Sequence, residues 1–95
     1  MASFSDITLE PGVAQGLRRG ERRSQAAAYH TLAPTVMGMS MRILQDEQLA
    51  QEVVQDTFAA VFHSIDAYQE KASLISWIYG IAKNSVNNHL RRAKA

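Results

Sequence analysis

Hydrophobic positions recur at helical spacing in three stretches of this sequence and lose that spacing between them. In residues 73–94 a wheel at 100° per residue gathers Leu74, Trp77, Ile78, Ile81, Ala82, Ser85 and Val86 on one side, the i, i+3, i+4 pattern of a core-facing stripe. The opposite side collects Gly80, Lys83, Asn84, Asn87, Asn88, Arg91 and Lys94, cationic and amide-rich without a carboxylate, and Trp77 stands at the border. Ser73 occupies the N-cap position, where its hydroxyl can accept from a free N–H of the first turn. Arg91, Arg92 and Lys94 fall at the other end, where the helix dipole favours cations. Gly80 is out of place, since a mid-helix glycine costs about 1 kcal/mol relative to alanine; close approach of another chain to that polar face is one reason to keep it.

A second helix is predicted after Asp46, a good N-cap, with Leu49, Ala50, Val53, Val54, Thr57, Phe58, Val61, Phe62 and Ile65 forming a broad apolar arc. Behind that arc Gln48, Glu52, Gln55, Asp56, Ala59 and His63 align in a narrow strip of amides and carboxylates, with Gln51 beside it. On composition a solvated face is the default for such a strip. The earliest helix runs over residues 21–44, with Tyr29, Leu32, Ala33, Val36, Met37, Ile43 and Leu44 on its stripe. Pro34 falls inside it, removing one intrahelical hydrogen bond and predicting a kink or break near residues 31–33. At their spacing, Met37, Met39 and Met41 are read as core filling with at least one turned to solvent, in preference to an adhesive groove. The expected fold is all-α, a compact bundle of three helices, or of four if Pro34 breaks the first.

Residues 65–72 interrupt the stripe and precede the cap of the last helix, so they are expected to form a loop, a common place for function on a rigid scaffold. Tyr68 in that loop either folds back onto the core or stands out as a stacking residue. Residues 1–20 have no sustained period and contain Pro11, Gly12, Gly16 and Gly20. They are expected to be a flexible leader to a helical domain spanning 21–95. Arg18, Arg19, Arg22 and Arg23 are read as a solvated helix start, with a nucleic-acid arm as the alternative.

Length and composition allow one globular domain with a single modest core. The absence of cysteine removes disulfides and thiolate metal sites and fits a reducing cytoplasm. No apolar run approaches a membrane span and no signal pattern opens the chain, so a soluble cytoplasmic protein without a membrane partner is expected. Net charge is only +1, but its distribution is uneven. Residues 1–45 carry +2, residues 46–70 carry −6 without a single Lys or Arg, and residues 71–95 carry +5 without an acid. Such segregation points to an acidic surface for a basic partner beside a basic surface for a polyanion.

Several chemistries have no support. His30, His63 and His89 lie in three separate segments, each expected at the surface or its boundary, so a zinc site cannot be assembled. There is no glycine-rich phosphate loop and no nucleophile elbow. The chain is not expected to be an enzyme or to need a cofactor.

The segments LAQEVVQDTFAAVF and SLISWIYGIAKNSVNNHLRR together resemble region 2 of bacterial sigma factors of the extracytoplasmic-function class, over residues 26–92. Ala50, Gln55 and Phe58 match the family pattern and Glu52 and Asp56 keep its charge. Trp77, Tyr79, Ile81, Ala82 and Asn84, then His89, Leu90, Arg91 and Arg92, match the second half. The sequence departs where Gln51 replaces an acid, Ala72 a glycine, Leu74 a phenylalanine and Gly80 a common arginine, the last removing a phosphate contact.

The resemblance implies a helical domain that joins core RNA polymerase and recognises and melts the promoter minus-ten element. The positions matching Gln48, Gln51, Glu52, Gln55 and Asp56 would bind the clamp coiled coil of the largest polymerase subunit. The loop with Asp66, Ala67, Tyr68, Lys71 and Ser73 would hold a base flipped from the non-template strand, and Lys83, Asn84, Asn87, Asn88 and Arg91 would contact that strand. An anti-sigma factor is a further implied partner. Single strands offer phosphates to cations and base edges and faces to amides and aromatics, which suits this face. Trp77 is read as packing in support of the loop. The family adds a second helical domain for the minus-thirty-five element, and the sequence ends at Ala95, before one; a fragment and a one-domain relative both fit. From a different class, a helical protein-interaction module without DNA binding is the alternative.

Overall fold

The computed structural model describes residues 4–94. Four α-helices follow in order: α1 (Val13–Arg18), α2 (Arg22–Leu44), α3 (Glu47–Ser64) and α4 (Leu74–Lys94), with short 3-10 turns at Phe4–Asp6 and Ile65–Ala67. No strand occurs among the described residues. Asp46 caps α3 by accepting from the Leu49 N–H at 2.9 Å, and Ser73 caps α4 by accepting from the Ser76 N–H at 3.1 Å. Between α2 and α3 the chain reverses at Gln45, whose left-handed backbone (φ 54°) lets its N–H close on the Met41 carbonyl.

The three long helices pack around one core in which Leu32 and Val36 of α2, Val53 and Val61 of α3, and Ile78 and Val86 of α4 are almost wholly buried. Full burial of each such side chain stabilises by roughly 1.5–3 kcal/mol, so the predicted stripes are what holds the bundle. On the α2 stripe, however, Tyr29 and Ile43 are exposed, and Ala28 and Ser40 take core positions instead. Ser40 is tolerated there because its hydroxyl donates to the Val36 carbonyl at 2.7 Å. Met39 is buried, Met37 half-buried and Met41 exposed, the division expected of them.

Two expectations are corrected. Of the kink or break predicted at Pro34, the break does not occur: α2 is continuous from Arg22 to Leu44. Both Pro34 and His30 are exposed, so the carbonyl left without its helical donor lies where water can reach it. The fourth helix arises instead within residues 1–20. Val13 and Leu17 of α1 are buried in the core, and Phe4, Ile7 and Leu9 pack against it, with Phe4 edge-on to Tyr79 at 4.8 Å. Left-handed glycines bound α1, Gly12 (φ 90°) before it and Gly20 (φ 70°) after it. The leader therefore begins the packed structure; its residues 1–3, and Ala95 at the end of the expected domain, lie outside the described residues.

Candidate functional site

The apolar arc of α3 turns Val53, Val54, Thr57, Phe58 and Val61 inward, which leaves the opposite side to solvent. Gln48, Gln51, Glu52, Gln55 and Asp56 are all exposed there, as are Ala59 and His63. Five hydrogen-bonding side chains thus stand in a row on one rigid helix. On α4 the same logic buries Ile78, Ala82 and Val86 and exposes Lys83, Asn84, Asn87 and Arg91, while Asn88 is half-buried and accepts a hydrogen bond from the Arg91 guanidinium. A Cβ built on Gly80 would meet nothing within 4 Å among the described residues, so that point of the polar face has room for a close approach.

The loop between α3 and α4 is shaped rather than extended. Asp66, Ala67, Lys71 and Ser73 are exposed, but Tyr68 is only 8% exposed. Of the two alternatives open for it, it takes the first and folds back onto the core, so it is not a free stacking platform. Its hydroxyl donates to the Ala72 carbonyl at 2.6 Å and its ring lies 5.3 Å from that of Trp77. Ala67, Tyr68, Glu70, Lys71, Ser76 and Trp77 wall an open hollow of about 260 Å³. Glu70 bends the loop with a left-handed backbone (φ 62°), a conformation unusual for a residue with a Cβ. A larger groove of about 1050 Å³ runs beside α4, where Ser76, Tyr79, Lys83 and Asn87 face Thr8, Leu9 and Ile43.

Two contributions were not anticipated. His89 is 4% exposed, against the expectation of a surface or boundary histidine. Its Nδ1 donates to the Ser85 carbonyl at 2.9 Å, since a carbonyl oxygen can only accept. Nε2 lies 3.5 Å from an Asp56 oxygen and 3.8 Å from one of Glu52, within ion-pairing reach but without hydrogen-bond alignment. The signal was present: on the wheel, His89 falls between Ile78 and Ala82, inside the apolar arc. Arg18 is the other. It reaches from α1 to the loop, donating to the Tyr68 carbonyl at 2.7 Å, and nothing in the sequence pattern marks it apart from its three neighbouring arginines.

Among the described residues no cluster of three potential ligands could hold a metal, and no helix is long and apolar enough to cross a membrane. What remains is a helical domain with an acidic, amide-bearing row on one helix and a cationic, amide-bearing face with a hollow on the next. Over residues 28–95 the sequence matches the family model described as Sigma-70 region 2. The chain belongs to the sigma-70 region 2 family. Among curated relatives, the RNA polymerase sigma-H factor of Pseudomonas aeruginosa is 27% identical over 74 residues, covering 78% of this chain and 38% of that protein. The RNA polymerase sigma factor CarQ of Myxococcus xanthus is 32% identical over 62 residues, covering 65% and 36% respectively. The chain therefore spans little more than a third of the length of either relative. No solved structure matches it significantly. As a sigma region 2 domain it has the all-helical bundle expected of the family, and α1 lies outside the matched segment.

Proposed function

We propose that this domain is the part of a sigma factor that grips core RNA polymerase through α3 and captures unpaired promoter DNA through α4 and the loop before it. In this reading Gln48, Gln51, Glu52, Gln55 and Asp56 meet the clamp coiled coil of the largest polymerase subunit. Lys83, Asn84, Asn87, Asn88 and Arg91 meet the non-template strand of the minus-ten element. The hollow beside Asp66, Ala67, Lys71 and Ser73 receives a flipped base, with Tyr68 as its wall. The activity is binding rather than catalysis, exercised in the cytoplasm with the polymerase, and an anti-sigma protein is a fitting regulator because it would have two exposed, oppositely charged faces to cover.

One observation carries the reading: within a matched sigma-70 region 2 fold, the two predicted faces are both exposed, one acidic and one basic. The division of labour would have failed had Gln55 and Asp56 or Lys83 and Asn84 been buried, and all four face solvent. A flipped base leaves its stack at a cost of roughly a few kcal/mol. Phosphate contacts along α4 and a shaped hollow can offset that, whereas a flat basic face could not choose among bases. Fluorescence anisotropy with short non-template oligonucleotides, with and without core polymerase, tests this. Base-dependent binding that strengthens with polymerase is expected. Weak, base-indifferent retention would overturn it and point to a module that docks proteins only.

A further inference from the structure

We propose that Arg18 is a positioning residue that sets the base selectivity of the loop hollow, by bracing it from α1. The proposal rests on the reading of that hollow as a nucleotide pocket. It begins with how firmly α1 is seated. Val13 and Leu17 are buried, and Gly16 presses so closely on α2 that a Cβ there would stand 1.8 Å from the Ser24 hydroxyl oxygen. A residue following Leu17 is thus anchored by the core, and from there Arg18 makes three contacts with one loop. Its Nη2 donates to the Tyr68 carbonyl at 2.7 Å, its Nη1 lies 3.5 Å from a Glu70 carboxylate oxygen, and its guanidinium carbon is 5.5 Å from the Tyr68 ring centroid.

Tyr68 and Glu70 are walls of the hollow, and Glu70 holds the left-handed backbone that turns the loop. A planar guanidinium can donate to a carbonyl, pair with a carboxylate and lie over a ring at once, which a lysine cannot. Arg18 is therefore spent on the loop rather than held out toward phosphates. A preformed hollow discriminates by shape, because a base that does not fit must deform it. A loosened loop can adapt to any base and loses that discrimination, even where the gross affinity supplied by α4 is kept. Arg18 lies outside residues 28–95, so the family match does not include it.

The test uses the 95-residue chain with Arg18→Ala and Arg18→Lys. Trp77 is the only tryptophan and lies beside Tyr68, so its emission reports on the loop without DNA. Arg18→Ala should shift that emission to the red and raise its quenching by acrylamide, with Arg18→Lys intermediate. Against single-stranded oligonucleotides varied one position at a time, the parent should select at one position by about tenfold or more. Arg18→Ala should erase most of that selectivity, while affinity for an oligonucleotide abasic at that position and the salt slope stay unchanged. Unaltered Trp77 quenching in Arg18→Ala would overturn the brace whatever the DNA result. Uniform weakening on every oligonucleotide with a shallower salt slope would overturn it in favour of a phosphate contact. A parent without base selectivity would overturn the reading of the hollow, and the proposal with it. Should Arg18→Ala unfold, Arg18→Lys, which keeps charge and stem, carries the same comparison.

Discussion

The outer face of α3 and the outer face of α4 with its loop are built in different ways. On α3, the exposed row from Gln48 to Asp56 belongs to one helix, capped by Asp46 and anchored by Val53, Thr57 and Phe58 beneath it. On the other side the parts come from three places: Arg18 from α1, Tyr68 and Glu70 from the loop, and Ser73, Trp77 and Lys83 from the cap and body of α4. A folded protein surface can be met by a row that one helix supplies. A hollow cannot be made by one helix, so the region suited to an extruded base needs a loop, and the loop needs holding. The two regions are joined by His89, which is bonded to the α4 backbone and faces Asp56 and Glu52 from inside.

The largest effect should come from reversing charge on the simpler face. Asp56→Arg is expected to weaken association with core polymerase by about 100-fold or more, since a like-charge contact across an interface costs several kcal/mol. The far-ultraviolet spectrum should be unchanged, because Asp56 is exposed. As Asp56 also neighbours His89, Gln48→Arg, exposed on the same row about two turns away, is the companion. If both folded variants bind polymerase like the parent, the row on α3 is only a solvated face. Next comes Gly16→Ala. Its Cβ would lie 2.7 Å from the Cβ of Ser24, too near for rotation of the serine hydroxyl alone to relieve it, so overpacking should cost about 1–3 kcal/mol in chemical denaturation. It should also loosen the loop through Arg18, raising Trp77 quenching while leaving polymerase association unchanged. Equal stability of parent and variant would show that α1 is not seated as described.

Within the second region, Lys83→Ala with Asn84→Ala should lower affinity for minus-ten single strand by roughly tenfold, on the order of one charged and one neutral contact. The slope of log affinity against log salt should become shallower by about 0.7, the value for one phosphate contact on a single strand. Unchanged affinity and slope would remove the α4 face from the DNA site.

How much of this was legible follows from what periodicity can encode. The stripes of α3 and α4 fix which residues are exposed, so Gln55, Asp56, Lys83 and Asn84 were placed by spacing alone. The caps Asp46 and Ser73 were legible because capping is local chemistry. Pro34 left a kink and a break both open because its effect depends on whether the freed carbonyl faces water, a tertiary fact, and only the break is ruled out. The helix in the leader was missed because six residues are too short for a period, although Gly12 and Gly20 at its ends were the available punctuation. Tyr68 and Arg18 illustrate the limit: their partners lie four residues away and fifty residues away, and only the latter separation is beyond any local pattern.

The smallest effect is the most informative about how the loop is held. Glu70→Gly removes the penalty of a left-handed backbone on a residue with a Cβ, about 1–2 kcal/mol, and loosens the unfolded chain by a comparable amount in the opposite sense. It also removes an ion pair with Arg18 whose glutamate is 59% exposed, worth about 1 kcal/mol at most. These terms nearly cancel, so stability should change by less than about 1 kcal/mol. The hydrogen bond from Arg18 to the Tyr68 carbonyl survives the substitution. Trp77 quenching and base selectivity should therefore stay close to those of the parent and well apart from those of Arg18→Ala. If Glu70→Gly matches Arg18→Ala in both readouts, the carboxylate rather than the Tyr68 carbonyl is what holds the loop, and the brace is a surface ion pair that added salt would release.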